Sequence, residues 1–178
     1  MYHSPYDTAT PVDKESQGAI VFLQKRNNHH YLTYNYMYLR EALMSKEKFD
    51  PLFDKARCTE MLPPDKANDF FEALFGDASE GSYDIELAYE GSDNNNLHFA
   101  LLLHERPGHC LACNLTQGLP QVFSRHPVIN VAGIVEQIDT VLGSQQNTGN
   151  WHLGATQQRG PSLHVIPLTI ALSEPKPV

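Results

Sequence analysis

The sequence predicts an α+β fold: an antiparallel sheet of about five to six strands with helices packed on one side. Three observations carry this. The hydrophobic period switches from helical to two at residue 83. A fully capped helical stripe occupies 131–142. Turn-forming residues separate short apolar runs on either side of it.

The elements follow in order. Residues 1–16 are polar and read as a flexible N-terminal segment, without the basic start and apolar core of a signal peptide. Residues 17–172 are expected to form one domain, and 173–178 a flexible tail. Ala19 to Leu23 make a short apolar run, and Asn27-Asn28-His29-His30 a turn. In 31–38, Leu32 and Tyr36 continue to Leu39 and Leu43 as a helical stripe. The four tyrosines (Tyr31, Tyr34, Tyr36, Tyr38) fit a strand equally well and could serve an interface or the core. Helix is expected over 39–46. Asp50-Pro51 interrupts it, because proline disfavours helix in the residue before it. A further helix covers 51–60.

Pro63-Pro64 in front and Gly76 behind punctuate the next helix, with Ala67, Phe70, Phe71, Leu74 and Phe75 on its apolar face. Tyr83, Ile85, Leu87 and Tyr89 then alternate with Asp84, Glu86, Ala88 and Glu90, a half-buried strand. After a turn at 91–96, residues 97–105 are apolar on both faces and read as a central strand. Pro107-Gly108 signals a type II turn, so 109–116 is expected to return as the hairpin partner. Residues 118–124 read as another strand, ended by His126-Pro127. Val131, Ile134, Val135, Ile138 and Leu142 line one helix face, with Asn130 as N-cap and Gly143 beyond the end. Residues 151–156 and 163–172 complete the sheet. Pro167 makes the last strand an edge strand or a bulged one.

Charge is unevenly laid out. The net charge is −8, and 67–105 holds nine acids (Asp69, Glu72, Asp77, Glu80, Asp84, Glu86, Glu90, Asp93, Glu105) with no Lys or Arg. Such a surface repels phosphate backbones, which argues against nucleic acid. It suits a basic partner or a cation, or is simply a solubilising face. No run is long enough to span a membrane. Three cysteines cannot close a disulfide framework, so free thiols in a reducing, cytoplasmic setting are expected and the Asn114-Leu115-Thr116 sequon carries no weight.

The densest reactive chemistry lies at 98–126: His98, His104, His109, His126, Cys110 and Cys113. Cys110 and Cys113 have CxxC spacing, and His126 follows twelve residues later, but the fourth ligand of a zinc finger is missing. On a regular strand the two cysteines would also face opposite ways. The hairpin register instead gathers His98, Leu102, His104, Arg106, His109 and Cys113 on one face, with His104 and His109 as diagonal neighbours. The metal candidates are therefore His104, His109 and Cys113, with zinc as the one cofactor considered. The ligand-binding candidates are His104, His109, Arg106, Arg125 and His126. His104-Glu105-Arg106-Pro107-Gly108-His109 is one residue too long for a zinc-protease HExxH motif, and Pro and Gly break the helix that motif needs. Asp93-Asn94-Asn95-Asn96 lacks EF-hand spacing. No nucleophile elbow or nucleotide-binding glycine loop is present.

The resulting expectation is a small cytosolic binding module, without a catalytic motif, whose acidic segment meets a basic protein or small-molecule partner. The alternatives are an enzyme or metal sensor at the His104/His109 face, or a ligand pocket between the sheet and the 131–142 helix. Composition leaves homo-oligomerisation open.

Overall fold

The computed structural model describes residues 48–93, 95–111, 118–143 and 146–173. The expectations for residues 1–47, for 112–117 and for the 174–178 tail lie outside them. The chain parts into two compact units, Met1–Tyr38 and Leu39–Val178, and every described residue belongs to the second.

The order of elements is a 3-10 turn η1 (Asp50–Leu52), helices α1 (Lys55–Met61) and α2 (Lys66–Phe75), a 3-10 turn η2 (Ala78–Glu80), strands β1 (Tyr83–Ser92) and β2 (Asn96–Glu105), helices α3 (Leu119–Arg125) and α4 (Val131–Leu142), and strands β3 (Asn147–Leu153), β4 (Gln157–Gly160) and β5 (Leu163–Ser173). The five strands form one antiparallel sheet in the order β1-β2-β5-β3, with β4 pairing on β5. β2 and β3 are thus parallel, with β5 between them, and α3–α4 is the crossover that joins them.

Helix starts follow local chemistry. Asp54 caps α1 by accepting the Arg57 N–H at 2.8 Å. Asn130 does the same for α4 through Gly133. Gly76, at φ +78°, ends α2 in the left-handed conformation that glycine alone adopts freely.

The helices cover one face of the sheet. Ile85 and Leu87 of β1, Leu97, Phe99, Leu101 and Leu103 of β2, and Ile166, Leu168 and Ile170 of β5 point at Phe70, Phe123, Ile134, Ile138 and Leu142. These side chains are at most 3% exposed. Burying a side chain of this size is worth about 1.5–3 kcal/mol, so this shared layer dominates the stability.

Two expectations change. Residues 119–125 form a helix, not a strand: Gly118 precedes it at φ +91°, Pro120 sits in its first turn, and Leu119, Val122, Phe123 and His126 fall on one stripe. β5 is an interior strand, not an edge, and it pairs with β2 through Pro167 without a register shift; the break lies in the chain beside it. Three residues, 154–156, separate Leu153 from Gln157, opposite the two residues between Leu168 and Val165. Pro167 lies at that break, and its carbonyl accepts the Gly154 N–H at 2.8 Å. N–H and C=O of one residue point the same way in an antiparallel strand. The missing N–H of Pro167 therefore faces the break. Among the described residues no helix is long and apolar enough to cross a membrane.

Candidate functional site

The histidine face expected from the sequence does not assemble. β2 is paired along its length with β1 on one side and β5 on the other, so no neighbouring position is left for a returning hairpin strand. The Pro107–Gly108 turn itself forms: the His109 N–H donates to the Arg106 carbonyl at 3.1 Å, and Gly108 has φ +81°. Beyond it the chain turns helical at Leu111, whose N–H donates to Glu105 Oε2 at 2.9 Å. His104 therefore faces Asp84 and Leu163 across the ladders, not His109 or Leu111.

Each candidate has a definite place. His104 Nε2 lies 3.1 Å from Glu86 Oε2 but off the direction of a hydrogen bond, so the contact is an ion-pair approach. Lys55 Nζ holds the other oxygen of Glu86 at 3.0 Å. The Arg106 guanidinium is held by four hydrogen bonds. It donates to Asp84 Oδ1 (2.8 Å), the carbonyls of Ala78 (3.0 Å) and Gly81 (3.4 Å), and Asn68 Oδ1 (2.7 Å), and lies over the Phe71 ring. With four of its five N–H donors used inside the chain, it acts as a structural latch. Arg125 is exposed at the end of α3. The His126 ring packs on Phe70, and its Nδ1 accepts the Val128 N–H at 3.3 Å, which leaves any ring proton on Nε2. Cys113 lies outside the described residues.

Cys110 is disulfide-bonded, with its partner outside the described residues, and Cys58 is free and buried. The expectation of free thiols is corrected for Cys110. The objection from strand alternation also loses its basis, because 109–111 is not strand. A disulfide sulfur is not a thiolate and cannot ligate zinc as one. Among the described residues no three His, Cys, Asp or Glu side chains gather to hold a metal. Asp93 is likewise committed: it accepts the Asn95 and Asn96 N–H groups, each at 2.8 Å, and lies 2.9 Å from His98 Nε2. Partial desolvation works to raise its pKa, but these donors prevail and hold it at about 2.

On the sheet face opposite the described helices, an ion pair links two distant strands. Glu90 and Arg159 are each the extra residue of a β-bulge, on β1 and β4. They join in a two-pronged ion pair although β2 and β5 lie between their strands. The pair spans the face, and Ala100 and Val165 on the two intervening strands are 0% exposed.

Apart from Glu105, which accepts the Leu111 N–H, the acids of 67–105 divide into two groups. Along the sheet, Asp84 meets Arg106, Glu86 meets Lys55 and His104, Glu90 meets Arg159, and Asp93 meets His98. These charges are answered within the chain. Around the end of α2 they are not. Asp69 pairs with Lys66, but Glu72 accepts only the Ala78 N–H (3.0 Å), Asp77 accepts only from Ser79 (2.8 Å), and Glu80 has no cation among the described residues. Hydrogen bonds from the Ser79 hydroxyl and N–H hold the Asp77 carboxyl below its usual range, so it stays ionised.

The same end of α2 is apolar. Ala67, Phe70 and Phe71 are buried, but the stripe runs one turn past the body, leaving Leu74 45% and Phe75 57% exposed. The third large exposed apolar side chain among the described residues is Val122, 37% exposed, on α3 beside Phe123, whose ring meets Phe70 at 5.2 Å. The sequence counts Leu74 and Phe75 as core because they share the stripe. The available signal was the absence of any basic residue in the last turn of α2, followed at once by Asp77 and Glu80. Comparison with protein families, with curated proteins and with solved structures finds no match to this chain.

Proposed function

We propose that the chain is a binding module for a basic partner, and that the partner meets the C-terminal end of α2 rather than the acidic strand β1. The observation that carries this reading is the division of charge. The carboxylates of β1 are neutralised by Lys55, Arg106 and Arg159, whereas Glu72, Asp77 and Glu80 meet no cation among the described residues. Unanswered charge beside exposed apolar surface steers association and gives it an ionic-strength dependence. The His104/His109 alternative has less support, since the two residues lie on either side of a turn and share no ladder.

The test is the triple variant Glu72→Gln, Asp77→Asn, Glu80→Gln, titrated with a lysine-rich peptide at low and high salt. The expected outcome is at least tenfold weaker binding at low salt and a flattened salt dependence. Asp84→Asn with Glu90→Gln should change binding by less than threefold. The opposite ranking of the two variants would contradict the reading.

A further inference from the structure

The surface at the end of α2 also specifies the kind of partner. This inference rests on the reading above and adds an apolar anchor to it. We propose that Leu74 and Phe75, bordered by Glu72, Asp77 and Glu80, receive an amphipathic helix whose apolar face is flanked by Lys or Arg.

Four features argue for this. First, the apolar surface is preorganised. The Phe75 ring stacks on Phe71 at 5.9 Å with an interplanar angle of 17°. Phe71 is 3% exposed and fixed between Tyr83, Phe70 and the Arg106 guanidinium. A Cβ at Gly81 would lie 2.3 Å from the Phe71 ring, so the backbone also closes on it. A side chain held in place before binding loses little entropy on binding. Leu74 lies one turn beyond the fully buried Phe70 and is 45% exposed.

Second, the charges are fixed. Glu72 is tied to Ala78 N–H and Asp77 to Ser79, and Asp77 caps η2. Third, a helix C-terminus carries partial negative charge and favours cations. The last turn of α2 has no basic residue and is followed by further acids. A partner's Lys or Arg would relieve that crowding of negative charge. Fourth, the alternatives fit poorly. A second copy presenting the same patch would bring like charges together. Nucleic acid is repelled. Strand addition needs a sheet edge, which a helix end does not offer.

Two peptides of identical Leu and Lys composition serve as probes. One has Leu at i, i+3, i+4 and i+7; the other is permuted so that no apolar face forms. Affinities for the full chain are measured at two salt concentrations. The wild type should bind the amphipathic peptide at least tenfold more tightly than the permuted one. Leu74→Ser with Phe75→Ser should abolish that preference and keep the salt dependence, with a circular-dichroism melt checking that the fold is intact. Preference unchanged in this double variant overturns the anchor and leaves the acidic reading standing. Loss of salt dependence in the wild type itself overturns the acidic reading instead. Should the double variant unfold, Phe75→Leu with Leu74→Gln, which keeps the ring's site apolar, repeats the test: the preference should fall severalfold, and an undiminished preference overturns the anchor.

Discussion

Arg106 is the residue on which most of the local structure converges. It sits just past β2 and joins that strand to α2 through Asn68, to η2 through Ala78, to Gly81, and to β1 through Asp84. Its side chain is only 15% exposed. Lysine keeps the charge but not the planar fork, so it cannot reach four acceptors at once. Arg106→Lys should destabilise the fold by about 1–3 kcal/mol, measured by urea unfolding. Asp93 makes a prediction about pH. Its folded pKa of about 2 lies below the unfolded value of about 3.9. The stability it contributes is therefore complete above the unfolded value and lost as pH falls through the folded one. Asp93→Asn should flatten the acid limb of the stability curve between about pH 4 and 2 and loosen the turn before β2. An unchanged acid limb would show that the carboxylate is not held in this way. Neither role was legible in the sequence. The sequence offers Arg106 only as a ligand-binding candidate, because single residues do not announce which backbone carbonyls will surround them. Asp93 was recognised as a turn residue but not as the acceptor of the whole turn.

At the scale of elements, local pattern succeeded where one periodicity dominated. The stripe of α4, the alternation of β1 and the first two turns of the α2 stripe formed as expected, because spacing places these residues on one face. It failed where the deciding contact was distant. The hairpin after β2 was inferred from Pro107-Gly108, and the turn is real, but β5 takes the place beside β2 from some sixty residues away. Residues 118–124 read as a strand, but 119–125 form a helix. The Gly118 and Pro120 start signal, which was available, decides for helix. The β-bulges at Glu90 and Arg159 were invisible in sequence, yet they aim the two side chains at each other. That ion pair is largely exposed, and such pairs contribute about 0–1 kcal/mol. Arg159→Gln should therefore leave global stability nearly unchanged. It should speed amide hydrogen exchange in β4, whose ladder to β5 is short. Exchange unaltered in β4 would mean that the clasp does not restrain the strand.

For the molecule as a whole, the sequence showed that negative charge is concentrated in 67–105 but not which part of it is available. The fold answers that by bringing Lys55, Arg106 and Arg159, all from outside the segment, onto β1. What is left is a patch at one end of the helical layer, where exposed Leu74 and Phe75 adjoin Glu72, Asp77 and Glu80. The histidine cluster that dominated the sequence is dispersed by the same topology. The most direct test of this account is a map of where a basic ligand touches the folded chain. Amide chemical-shift changes during titration with the amphipathic Leu/Lys peptide should centre on residues 72–80 and extend to Val122, with 84–90 nearly silent. Changes centred on β1 and the His104 region, with 72–80 silent, would contradict it.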